Sequence, residues 1–161
     1  MKLGPIFVTV STAAAVSVAG CESLYLALYR PPTLPDCPGE LVPTGAIPGE
    51  FVWRERVRVV GGDVEATFDL VIEKRADQLV LVGFNEFGAK AFSVVQRGTE
   101  VETLRHLGPA TPVPPENILR DLHRARLGAP PGDATIEESA GGTEIDNPSC
   151  GYRATWVRAV F

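Results

Sequence analysis

From Phe51 onward, apolar and polar residues alternate with a period of two. Phe51, Trp53, Val57 and Val59 share one face, and Arg54, Arg56 and Arg58 share the other, which predicts a half-buried strand. Gly61-Gly62-Asp63 predicts a turn. Val64, Ala66, Phe68, Leu70 and Ile72 then alternate against Glu65, Thr67, Asp69 and Glu73. Across that hairpin the acids face the three arginines, which is the pairing that neighbouring strands favour. The arginine stripe therefore reads as a solvated face rather than an anion site. Leu79–Phe84, LVLVGF, has no polar member and predicts a central strand buried on both faces. Two more strands are predicted at Ala89–Gln96 and Thr99–Leu107, after turns at NEFG and Arg97-Gly98.

The pattern then changes period. GPATPVPP breaks the sheet, Pro115 suits a first helical turn, Glu116 favours its positive end, and Gly128 stops it. Ile118, Leu119 and Leu122 form one stripe, continued by Ala125 or Arg126, while His123 falls on the polar side as a solvated bystander. His106, at a strand end, reads the same way. Residues 128–150 are rich in Gly, Pro and acid and predict a loop or a weak hairpin. The chain closes on a strand with Tyr152, Ala154, Trp156, Arg158 and Val160 on one side. The expected fold is α+β: a curved antiparallel sheet with one main helix packed against it.

Upstream of the alternation, residues 29–50 hold six prolines and three glycines and predict an extended tether. Further upstream, Lys2 precedes an uncharged run from Gly4 to Gly20, the order of a bacterial export signal. That run is short and diluted by Thr9, Ser11, Thr12 and Ser17, so a cleaved signal fits better than an uncleaved anchor. Val18, Ala19, Gly20 and Cys21 resemble a bacterial lipobox. The resemblance implies that Cys21 is acylated and becomes the mature N-terminus; the alternative is an ordinary signal with a chance cysteine. Several acyl chains anchor stably, because each buried methylene adds about 0.8 kcal/mol. Glu22 is not the aspartate that retains lipoproteins in the inner membrane, so the resemblance implies the periplasmic face of the outer membrane. Three domains follow: residues 1–20 as signal, 21–50 as lipidated tether, and 51–161 as a β-rich domain.

Three cysteines are an odd number for an exported chain. With Cys21 lipidated, Cys37 and Cys150 remain as a pair in an oxidising compartment, where a disulfide persists. The alternative is two unpaired thiols.

Composition narrows the classes of function. Cleavage before Cys21 removes only Lys2 among charged residues and takes the formal net charge from −5 to −6. A nucleic-acid binder would present a basic face, and none is expected. The sequence has no nucleophile elbow, phosphate-cradling loop, calcium run or metal-ligand spacing, so it predicts no catalytic residue, metal or cofactor.

Two stretches carry a family resemblance. LVGFNEFGAKAFSVVQRGTEVE (Leu81 to Glu102) resembles the strand, glycine turn, strand signature of small lipoproteins related to LolB, the outer-membrane lipoprotein receptor, with Gly88, Phe92 and Val101 at the matching places. PPENILRDLHRARL resembles the helix that follows, with Asp121 at its aspartate. The nearest group is a family of lipoproteins of unknown function, some encoded beside aryl-polyene pigment genes. The resemblance implies an incomplete β-barrel closed by helices over an apolar cavity. Phe51, Trp53, Phe68, Leu70, Leu81, Phe92 and Leu122 would line that cavity. It further implies an envelope lipoprotein that binds or transfers lipid-like or acylated molecules. The alternative is a structural or interaction lipoprotein with a filled core and a protein partner.

Overall fold

In a computed structural model of the chain, the structure describes residues 32–106 and 111–159. The signal run, Cys21 and Val160 lie outside the described residues. Five consecutive strands form a meander: β1 (Phe51–Gly61), β2 (Val64–Arg75), β3 (Gln78–Phe84), β4 (Lys90–Arg97) and β5 (Glu100–Arg105). Helix α1 (Pro115–Arg126) follows, then the hairpin β6 (Thr135–Ser139) and β7 (Gly142–Asn147), and finally β8 (Tyr152–Arg158). All pairings are antiparallel, in the order β5-β4-β3-β2-β1-β8-β7-β6. The sheet is not closed, and its two edges, β5 and β6, flank the helix in the sequence.

Helix α1 touches β4, β5 and β7. In that order β4 and β7 are five strand spacings apart, about 24 Å on a flat sheet, whereas a helix is about 10 Å across. One helix reaches both only because the sheet curls around it. The curled face collects Val57, Val59, Phe68, Leu70, Ile72, Leu81 and Trp156 against Ile118, Leu119 and Leu122 of the helix. On the outer face Arg56 pairs with Asp69 and Arg58 with Glu65, both at 2.7 Å, as the hairpin pattern predicts.

Several expectations are corrected. Leu79 and Leu81 are buried, but Val80, Val82 and Phe84 are only half-buried. A single helix covers only the curled face, so β3 is not sealed on both sides. The inward alternation of the last strand stops at Trp156; Arg158 is exposed, its guanidinium 5.9 Å from the centroid of the Trp53 ring. Of the two forms expected for residues 128–150, loop or weak hairpin, the hairpin is the one present. Residues 32–50 are not a free tether, because Leu34, Cys37, Thr44 and Ile47 are buried against the domain.

That strap crosses the length of the domain. Leu34 N–H donates to Pro112 O at 2.9 Å at one end, and Thr44 N–H donates to Gly98 O at 3.0 Å at the other. Cys37 is bonded to Cys150, which lies just before β8, with Cα atoms 5.5 Å apart and a sequence separation of 113. Replacing both cysteines by serine should cost about 4 to 5 kcal/mol in the chain-entropy model. Urea unfolding would read this as a clearly lower midpoint. An unchanged midpoint would show that hydrogen bonds alone hold the strap.

Candidate functional site

Two features distinguish this domain from a plain sheet-and-helix core: a buried polar seam along α1, and a cleft at the end where β2 begins.

The seam arises because α1 carries two stripes. Ile118, Leu119 and Leu122 face the sheet, while Asn117, Arg120, Asp121 and Arg124, at helical spacing, face the strap or its surroundings. Proline has no N–H, so the strap offers mainly carbonyls, and α1 supplies the donors. Asn117 Nδ2 donates to Pro35 O at 2.8 Å, Arg120 Nη1 to Cys37 O at 2.8 Å, and Arg124 Nη2 to Pro38 O at 2.7 Å. Cys37 N–H returns a bond to Asn117 Oδ1 at 2.8 Å.

Asp121 is buried among its partners. Its carboxylate accepts from Tyr152 Oη at 2.9 Å, Arg124 Nη1 at 3.1 Å and Asn147 Nδ2 at 3.3 Å. Burial raises its pKa to about 6, against the lowering pull of those three groups. Burial and the neighbouring Asp121 also push the Tyr152 phenol up. His123 is the sharpest departure from the sequence reading, because it is buried rather than solvated. Its Nδ1 accepts from Val42 N–H at 3.0 Å, so Nε2 carries the proton and donates to Gln96 Oε1 at 2.7 Å. Burial lowers its pKa to about 4. His106 stays exposed, 3.2 Å from Ser93 Oγ.

A second buried charge went unread in the sequence. Glu55 occupies an inward position of β1 and is buried, and Arg126 reaches it with Nε–Oε1 at 3.0 Å and Nη2–Oε2 at 3.2 Å. The available signal was an acid at the inward phase of a period-two strand. Lys74 is also buried on the inward face and donates to Ala76 O.

The seven residues expected to line a cavity fall into two groups. Phe68, Leu70, Leu81, Phe92 and Leu122 are at most 3% exposed and pack into the core beneath the helix. Phe68 and Phe92 meet edge to face, with centroids 5.3 Å apart. Phe51 and Trp53 stack at 3.8 Å near the start of β1 and are only partly buried. They are not gathered into one open chamber. Among the described residues, no three His, Cys, Asp or Glu side chains converge as a metal site, and no helix is long and apolar enough to cross a membrane.

The cleft, of about 460 Å³, is lined by Glu65 to Phe68 of β2, by Asn85, Glu86 and Phe87 of the β3–β4 turn, and by Ala91, Thr111 and Pro112. Asn85 builds the turn: its Oδ1 accepts from Phe87 N–H at 3.1 Å and Ala89 N–H at 2.9 Å, and Gly88 follows at φ +74°. Phe87 is thereby held outward, 85% exposed. Register shifts between Gly83 and Phe84, leaving Ala91 as an extra residue that bends the hairpin tip. Gly83 lets the Phe92 ring cross the strand, since a Cβ there would sit 2.2 Å from Phe92 Cζ.

These features define an open antiparallel sheet curled around one helix that a disulfide-bonded strap holds down. Residues 52–150 match the family of proteins of unknown function DUF3261, and the chain belongs to that family. No curated protein and no solved structure matches it.

The seam has a titration signature. Folded His123 stays neutral down to about pH 4, while the unfolded residue takes a proton below about 6.5, so its contribution is lost as pH falls through that window. Folded Asp121 keeps its proton up to about pH 6 against 3.8 unfolded, so its contribution is lost as pH rises between those values. The slopes oppose, each at most about 1.4 kcal/mol per pH unit. His123→Gln should therefore give a chain that loses stability as pH rises from 4 to 6, and Asp121→Asn one that loses it as pH falls from 6.5 to 4. Urea midpoints across pH would check both signs.

Proposed function

We propose that the chain is a membrane-anchored lipoprotein of the bacterial envelope, held through Cys21 at the periplasmic face of the outer membrane, whose domain is an interaction module with a filled core. The observation that carries this reading is the burial of Phe68, Leu70, Leu81, Phe92 and Leu122 beneath a helix fixed on both sides. The outer face adds support. Val71, Val82, Ser93 and Leu104 stand in register across β2 to β5, and none has a covering element among the described residues. Leu104 is exposed and the other three are partly so. A partner docked there would complete the burial that the fold leaves open.

A second reading, binding or transfer of lipid-like or acylated molecules by a LolB-like domain, is favoured by one observation: the sheet is unclosed, so only α1 and its strap separate the apolar face from an incoming chain.

Native mass spectrometry of the gently purified mature chain separates the two. The interaction reading expects the protein mass plus the acyl modification on Cys21 and nothing more. Phospholipid or lipopeptide released only on denaturation would establish carriage instead. An N-terminal peptide without acyl groups on Cys21 would overturn the anchor.

A further inference from the structure

β2 pairs with β1 along its whole length, Val64 to Lys74, but with β3 only from Asp69 onward. The segment Val64–Phe68 therefore has one edge without a strand partner among the described residues. The pairing phase shows which groups point there. Gly61 and Val64 flank a two-residue turn and are partners, so alternate residues from Val64 bond to β1. The amides and carbonyls of Glu65 and Thr67 turn the other way, where β3 does not pair with them and no turn or loop among the described residues bonds to them. The cleft lies along this edge. Its floor is Phe68, its rim is Phe87 on a turn that Asn85 fixes, and Thr111, buried with no partner for its Oγ1 among the described residues, lines its wall.

An acyl chain has no use for a row of backbone donors and acceptors, whereas an extended polypeptide has both. Charge selects further. Glu65 at the cleft is already paired with Arg58, but Glu86 beside it has no ion-pair partner among the described residues. We propose that the β2 edge from Val64 to Phe68 receives an extended, basic polypeptide segment of a partner protein as an added strand, with an apolar side chain between Phe68 and Phe87 and a lysine or arginine toward Glu86. The proposal deepens the interaction reading by naming the site and the partner's chemistry.

The test uses the full mature chain, disulfide intact, with the hexapeptide acetyl-Lys-Val-Thr-Val-Thr-Val-amide as probe. Amide hydrogen exchange at Glu65 and Thr67 should slow at least about tenfold at millimolar peptide, the mark of new backbone bonds. A peptide N-methylated at alternate residues should not protect them, and Phe87→Ser, an exposed change that leaves the core alone, should weaken binding about tenfold. Unchanged exchange with the peptide, or equal protection by the methylated one, would overturn the added strand while leaving interaction through another surface standing. Protection of the cleft by lysophosphatidylethanolamine instead of peptide would overturn both the strand and the interaction reading.

Discussion

Everything in this domain depends on α1 being covered on two sides at once. The sheet covers its apolar stripe, and the strap covers its polar one. A helix with asparagine, two arginines, an aspartate and a histidine across that second stripe would ordinarily turn it to water. Here the strap replaces water, and because it is rich in proline it does so chiefly as a row of acceptors. Helix side chains that carry donors and strap carbonyls that have no partner within the strap satisfy each other, which is the condition for burying either.

The two buried ion pairs refine that arrangement. Arg124 with Asp121 and Arg126 with Glu55 fix the helix to β7, β8 and β1 as well as to the strap. Such pairs contribute little net stability, because desolvation offsets their attraction, but removing one partner leaves a buried charge and costs about 3–5 kcal/mol. They therefore favour one rotation of α1 over its neighbours. The hydrophobic stripe alone would tolerate slippage, since its three large residues could repack after a small turn. The helix is thus located by polar groups and stabilised by apolar ones.

The sheet was readable because its information is local. Alternation from Phe51 to Ile72 and the arginine–acid facing each follow from a few adjacent residues, and so does the helix between Pro115 and Arg126. The disulfide was readable from arithmetic once one cysteine was set aside. The seam was not readable in the same way. The stripe that carries His123 is polar in sequence, and only the strap, some 80 residues earlier, makes it an interior. The strap itself looked like a tether because proline-rich sequence specifies extended backbone and says nothing about whether it is packed. LVLVGF looked doubly buried because apolar composition does not show whether a second layer exists. Glu55 is not legible from its neighbours because its partner lies 71 residues away. In each case the missing term was a long-range contact, which no window of sequence contains.

The unclosed seam of the sheet is where these constraints meet. Two edge strands flank α1 and cannot pair with each other while it lies between them. Both are guarded: β5 carries Glu100, Glu102 and Arg105, and β6 carries Glu137 and Glu138, the charged decoration that discourages edge-to-edge association. The first five residues of β2 form a third edge, inside the sheet, opened by the bulge that bends the β3–β4 hairpin away. Its guarding is different, because Glu86, without an ion-pair partner among the described residues, and the exposed Phe87 stand across the cleft from it. The fold thus guards its two outer edges with charge, whereas among the described residues the inner one is bordered by an exposed aromatic ring. That asymmetry lies at the end of the sheet, away from the strapped core that fixes the domain's shape.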